Sequence, residues 1–146
     1  MTTRINIAQV EPKALTAMLS VEGYVTEARL SASLKKLIKL RASIINQCAY
    51  CIEMHVTEAE KLGIDAKKLF ALAAWKESPL FDAEERAVLA LTDEMTLIAK
   101  GGVSDEVYQV AREYLGEELL AQAMMQVIMI NAWNRFAVAT KMTHEQ

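Results

Sequence analysis

From Leu15 to Phe136 the apolar residues return every three or four positions, and nowhere do they alternate with polar ones over the length of a strand. A chain patterned this way buries its apolar surface by packing helix on helix. "EPKALTAMLSVEGYV" opens on Pro12, which suits a first helical turn, and Gly23 is expected to break it. "SASLKKLIKLRASIIN" predicts a second helix capped by Ser31 or Ser33. "CAYCIEMHVTEAEKLG" predicts a third, stopped at Gly63. "DAKKLFALAAW" is a shorter helix with Asp65 as its cap. "KESPLF" follows as a connector, because Ser78 precedes Pro79. Asp82 and Glu85 give "DAEERAVLALTDEMTLIAK" a capping-box start, and Gly101-Gly102 ends it. Ser104 caps "SDEVYQVAREYLG". The last segment, "EELLAQAMMQVIMINAWNRFAVATKM", is too long and too apolar all round for a surface helix. It is expected to be central, with one side against the core and another against a partner subunit. About ten residues at the start, and His144 at the end, are expected to be loosely held. The fold class is all-α, a compact bundle of about six or seven helices, with residues 1–146 in one domain.

Composition narrows the function. A hydrophobic share of 53% is high for a monomer of 146 residues and points to buried subunit interfaces in a homo-oligomer. The eight methionines, Met124, Met125 and Met129 among them, fit the core or such an interface. A net charge of −3, with no Lys/Arg run longer than a pair, argues against nucleic acid. Lys35-Lys36 and Lys67-Lys68 read as solvated helix faces. No stretch approaches the roughly 18 apolar residues of a membrane span. The leader lacks the apolar core of a secretory signal. A cytoplasmic location follows by default. Thiols there are normally reduced, so two close cysteines point to catalysis or metal binding more than to a structural staple.

Those cysteines are the only two in the chain, and they lie in "INQCAYCIEMH". On a helix starting near Cys48, Cys51 and His55 fall with it in one sector of about 60°. His55 follows Cys51 by one turn, within reach of a hydrogen bond or a one-water relay. Cys48 sits at the helix N-terminus, where free N–H groups and the macrodipole favour a thiolate. One thiol can be oxidised, the second can resolve the sulfenic acid, and a base can move the protons. Two alternatives remain open. A zinc site would have Cys48, Cys51 and His55 but needs a fourth ligand, for instance Glu53 or Glu58. The three residues can also simply be buried.

"LIKLRASIINQCAYCIEMH" resembles the signature segment of the alkylhydroperoxidase D-like group in the carboxymuconolactone decarboxylase family. "AWKESPLFDAEERAVLALTDEMTLI" and "VSDEVYQVAREYLGEELLAQAMMQVIMINAWNRFAVA" are similar to the downstream region, so residues 30–140 are covered. The resemblance implies an all-α fold, trimers or hexamers, and peroxidase or disulfide-reductase chemistry. By motif position Cys51 would attack a hydroperoxide, and Cys48 would close the disulfide and exchange with a partner. His55 would stand in the proton relay. The partners implied are a hydroperoxide substrate and a thiol or dithiol reductant, with no metal, haem or flavin. The sequence departs from the family at one position. The glutamate that family members carry twelve residues before the first cysteine is here Lys36. Either Lys36 lies in the site and shifts the thiols toward thiolate, or it is solvated and another acid such as Glu53 or Glu27 serves. The decarboxylase branch does not depend on a cysteine pair. A non-enzymatic redox sensor or ligand-binding oligomer is the other competing reading.

Tyr50, between the cysteines, is expected to wall the pocket or face the core. Asn131 and Asn134 need buried partners in so apolar a helix, or they face a site. Trp133 reads as a packing anchor with a satisfied indole N–H more than as a pocket wall.

Overall fold

The computed structural model describes residues 4–144, and among these there is no strand. Seven α-helices follow in chain order: α1 (Ile7–Val10), α2 (Pro12–Glu27), α3 (Ala32–Ile45), α4 (Ala49–Lys61), α5 (Ala66–Ala71), α6 (Ala83–Thr96) and α7 (Asp105–Thr140). The caps stand where the sequence places them. Ser31, Asp65 and Ser104 accept backbone N–H groups at the starts of α3, α5 and α7. The Asp82–Glu85 capping box is complete. Gly63, at φ +83°, closes α4 with Ile64 N–H bonded to Ala59 O, the left-handed stop for which glycine is suited. The two C-terminal segments form one element, interrupted at Gly116 (φ +75°, ψ 170°) where they were divided.

Other boundaries differ. Gly23 does not break α2, which runs on to Glu27; a single interior glycine lowers helix stability by only about 1 kcal/mol. "DAKKLFALAAW" is α-helical only to Ala71 and continues as a 3-10 turn, Leu72–Glu77, kinked at Ala74. α6 ends at Thr96, and a 3-10 turn, Ile98–Lys100, carries the chain to Gly101. Lys35 and Lys36 are not a solvated face. Lys35 is 9% exposed and donates to the carbonyls of Thr26 and Ala28 at the end of α2. These are the orphan acceptors a helix C-terminus presents to a cation.

α3 is the element around which the rest packs, touching α4, α6 and α7. Leu34, Ile38 and Ala42 face one cluster with Val88, Leu91, Val127 and Ile130. Leu37 and Leu40 face a second with Leu69, Leu72, Trp75 and Leu89. α7 is apolar on its inner side as expected, with Met129 buried and Met124 packed against the first cluster. Ile128 and Val138 are exposed on its outer side. Arg41 locks α3 to α6. Its Nε and Nη2 donate to Asp93 at 2.7 and 3.1 Å, Trp75 Nε1 donates to the same carboxylate at 3.1 Å, and Arg41 Nη1 reaches Leu72 O.

Removing one member of that cluster leaves a largely buried charge unpaired, so Asp93→Ala is expected to destabilise the fold by roughly 3 kcal/mol. Urea unfolding measures this, and a loss under about 1 kcal/mol would show that the Arg41 cluster does not hold α3 in place.

Candidate functional site

The turn between α3 and α4 sets the site. α3 ends in a Schellman pattern, with Cys48 N–H bonded to Ser43 O and Gln47 in the left-handed region at φ +54°. α4 therefore begins directly at Cys48, which is its N-cap, and Cys48 Sγ accepts from Cys51 N–H at 3.3 Å. Cys48 and Cys51 are joined as a disulfide, with Cα atoms 5.3 Å apart. Both are buried.

His55 lies one turn on and is 5% exposed. Its Nδ1 is 3.1 Å from Glu58 Oε2, and Lys36 Nζ of α3 pairs with the same oxygen. Burial, with the charges of Lys36 and Lys39, depresses the His55 pKa to about 4 against the pull of Glu58. Burial pushes Glu58 up, but hydrogen bonds from Lys36 and His55 outweigh it and hold the carboxyl below its usual range. Burial lowers Lys36, opposed by Glu58. Near pH 7 the ring is therefore neutral and the carboxylate ionised. A neutral ring that faces a carboxylate at Nδ1 carries its proton there, which leaves Nε2 as a free base.

Cys51, Tyr50, His55 and Glu58 form one wall of a cavity of about 1010 Å³. Leu15, Leu19 and Glu22 of α2 and Gln126, Ile130 and Trp133 of α7 form others. The two ends of the chain complete it, with residues 4–8 on one side and 140–143 on the other. They are tied by Arg4 Nη1 donating to Ala139 O at 2.7 Å. The start of the chain is thus not loose from residue 4 onward. Nor is His144, which stacks on Tyr50 at 4.0 Å with its Nε2 2.9 Å from Tyr50 O.

The residues singled out in the sequence separate into groups. Cys51, His55 and Tyr50 share the cavity, and Cys48 stands behind Cys51, outside its lining. Lys36 is in contact with the site through Glu58 rather than in the cavity itself. Asn131 and Asn134 do not line the cavity. They belong to an amide network in which Asn46 Nδ2 donates to both Oδ1 atoms, Asn134 Nδ2 to Ser43 Oγ, and Asn131 Nδ2 to Thr96 Oγ1. Trp133 is an anchor and a wall at once, with Nε1 donating to Glu22 at 3.0 Å. The acid beside His55 is neither Glu53 nor Glu27 but Glu58, three residues along the same helix, a spacing that brings side chains together. Gln126, a polar interruption of the apolar run "MMQVIMINAW", is not marked by the sequence as a site residue, since one amide there reads as an incident in a core helix. Among the described residues no group of three or more His, Cys, Asp or Glu is placed to hold a metal, and no helix is long and apolar enough to cross a membrane.

An all-helical chain with a C-x-x-C cysteine pair at a helix start, and a histidine one turn on, defines an alkylhydroperoxidase D-like protein. The chain belongs to the carboxymuconolactone decarboxylase family, whose sequence profile matches residues 12–94. That match includes α2, ahead of the segment in which the resemblance was seen, and stops within α6. An uncharacterised Bacillus subtilis protein, YdfG, is 34% identical over 139 residues, 95% of each chain. A crystal structure of an Agrobacterium tumefaciens protein of unknown function, described as a candidate antioxidant defence protein AhpD, superimposes with a TM-score of 0.96 at 37% identity over 99% of both chains. An uncharacterised peroxidase-related protein of Silicibacter sp. TM1040 shares the fold at a TM-score of 0.80 and 23% identity, over 91% of this chain and 71% of that one.

His55 makes stability depend on pH. Its folded pKa lies below that of the unfolded chain, so the unfolded state binds the proton first. The stabilisation is complete above about pH 6.5 and declines toward pH 4, by up to roughly 3 kcal/mol. His55→Gln is expected to flatten the slope between pH 7 and 5. Equal slopes for both proteins in urea unfolding would remove His55 as its source.

Proposed function

We propose that the protein is a thiol oxidoreductase that reduces hydroperoxides by cycling Cys48 and Cys51 between dithiol and disulfide, an antioxidant role. One observation carries the reading: Cys51 and a neutral, carboxylate-oriented His55 face the same cavity from one side of α4. In the reduced protein His55 Nε2 takes the Cys51 thiol proton. The thiolate attacks the outer peroxide oxygen, the O–O bond breaks, and the proton passes to the departing alkoxide, giving an alcohol and Cys51 sulfenic acid. Cys48 then displaces water from that sulfur and closes the disulfide. Two electrons have gone from the thiols to the peroxide, and a dithiol donor returns them. Because Cys51 lines the cavity and Cys48 does not, we assign both the attack on peroxide and the first exchange with the reductant to Cys51.

Lys36 replaces the family's glutamate without removing the carboxylate, because Glu58 brings one to the ring from α4 and Lys36 binds it. The name and fold of the Agrobacterium protein support the antioxidant reading. The exposed Ile128 and Val138 on α7 support a homo-oligomer, a trimer or hexamer, in which that face is covered. A reducing compartment such as the cytoplasm suits the donor.

Free thiols are counted before and after one equivalent of cumene hydroperoxide, followed by turnover with a dithiol. Loss of both thiols to an intramolecular disulfide and repeated turnover are expected. Oxidation without turnover would replace an enzyme with a sensor. Cys51→Ser should abolish peroxide consumption, and full activity in that variant would end the assignment. Glu58→Gln should lower kcat at least tenfold by freeing the ring's orientation. Lys36→Glu should lower it too, since a second carboxylate drives Glu58 toward its protonated form. A gain in Lys36→Glu would show that the carboxylate belongs on α3.

A further inference from the structure

α7 carries four amides on or near its inner face, and three of them are bonded. Gln122 accepts from Leu30 N–H at 2.8 Å, and Asn131 and Asn134 belong to the network with Asn46. Gln126 is the exception. It is 1% exposed, and neither Nε2 nor Oε1 has a partner. A buried carboxamide with both ends unmet is costly to keep, and most such groups are satisfied. Gln126 stands in the lining of the cavity that holds Cys51 and His55, with Ile130 and Trp133 on the same face of α7.

The surroundings limit what can meet it. Leu15, Leu19 and Met54 make much of the wall apolar. Its inner charges are already matched, Glu22 with Lys39 and Trp133, and Glu58 with Lys36 and His55. Arg4 and Lys141 also line the cavity, where the two chain ends complete it, but an ion placed against Gln126 itself would exchange its hydration for a neutral carboxamide. A carboxamide is matched by a neutral group that accepts from Nε2–H and donates to Oε1 side by side.

We infer that the cavity binds a largely apolar organic molecule bearing one uncharged donor–acceptor group, of amide type, held by Gln126. The inference rests on the thiol-redox reading in that this molecule is then the substrate or its close analogue, positioned beside Cys51. Gln126 is a binding residue that fixes the molecule by its polar end. It takes no part in the electron transfer.

The test uses the disulfide form of the full chain, in its solution assembly, where no thiol can react. Binding of octanamide is compared by calorimetry with binding of 2-nonanone, the same shape with a methyl group in place of the amide NH2. The expected result is a preference for octanamide of about tenfold or more, lost in Gln126→Met. Equal affinities in the wild type, no binding of either probe, or a preference that survives Gln126→Met would each overturn the inference. If Gln126→Met does not fold, the wild-type side-chain NH2 signals of Gln126 decide. A shift in NMR on adding octanamide supports the contact, and an unmoved signal overturns it. Peroxide turnover is measured separately. Turnover without amide binding removes the Gln126 subsite alone, and amide binding without turnover removes the redox reading alone.

Discussion

One carboxylate oxygen, Glu58 Oε2, lies between Lys36 and His55, and the chemistry of the site depends on its staying there. The contact joins α3 to α4, so the setting of His55 is fixed by how two helices pack rather than by α4 alone. Lys36 acts in two directions. Its hydrogen bond keeps Glu58 ionised, and its charge helps burial keep His55 neutral. The result is a neutral ring near pH 7 whose Nε2 is free to accept a proton. α3 can hold this arrangement because its other contacts are rigid. Arg41 is clamped to Asp93, and Asn46 is clamped to Asn131 and Asn134. A site fixed on helices whose side chains are locked by their own partners keeps its geometry better than one built on loops.

Most of the helix inventory was legible from spacing and caps, because both are local. Ser31, Asp65, Asp82 and Ser104 bond backbone within three residues of themselves. So was the cysteine–histidine face, which follows from 3.6 residues per turn. What was missed depends on partners far away in sequence. Lys35 and Lys36 look solvated until α2 and α4 are placed beside them. For Asn131 and Asn134 the sequence leaves open a choice between buried partners and a site, and that choice rests on Asn46, 85 and 88 residues away. Gln126 gives no local sign, since only the absence of a partner in three dimensions distinguishes it from Gln122. The tie from Arg4 to Ala139, 135 residues away, likewise leaves no local sign in the sequence.

The two sulfurs are chemically unequal for reasons of position. Cys51 faces the cavity, so an electrophile or a small thiol arriving there meets it first. Cys48 is set back at the first turn of α4, where its sulfur accepts the Cys51 N–H and feels the positive end of the helix. On the proposed cycle a reductant attacking Cys51 expels Cys48, and the free N–H groups of a helix N-terminus favour the anion that leaves. The same placement serves the oxidising half. On the proposed cycle Cys48 stands one turn from the Cys51 sulfur, close enough to close the disulfide before a second peroxide takes Cys51 further up the oxidation ladder. Burial of both sulfurs leaves the cavity as the route of access. On the proposed chemistry the shape and polarity of that cavity would select the oxidants that reach the pair, and the thiols would need no selectivity of their own.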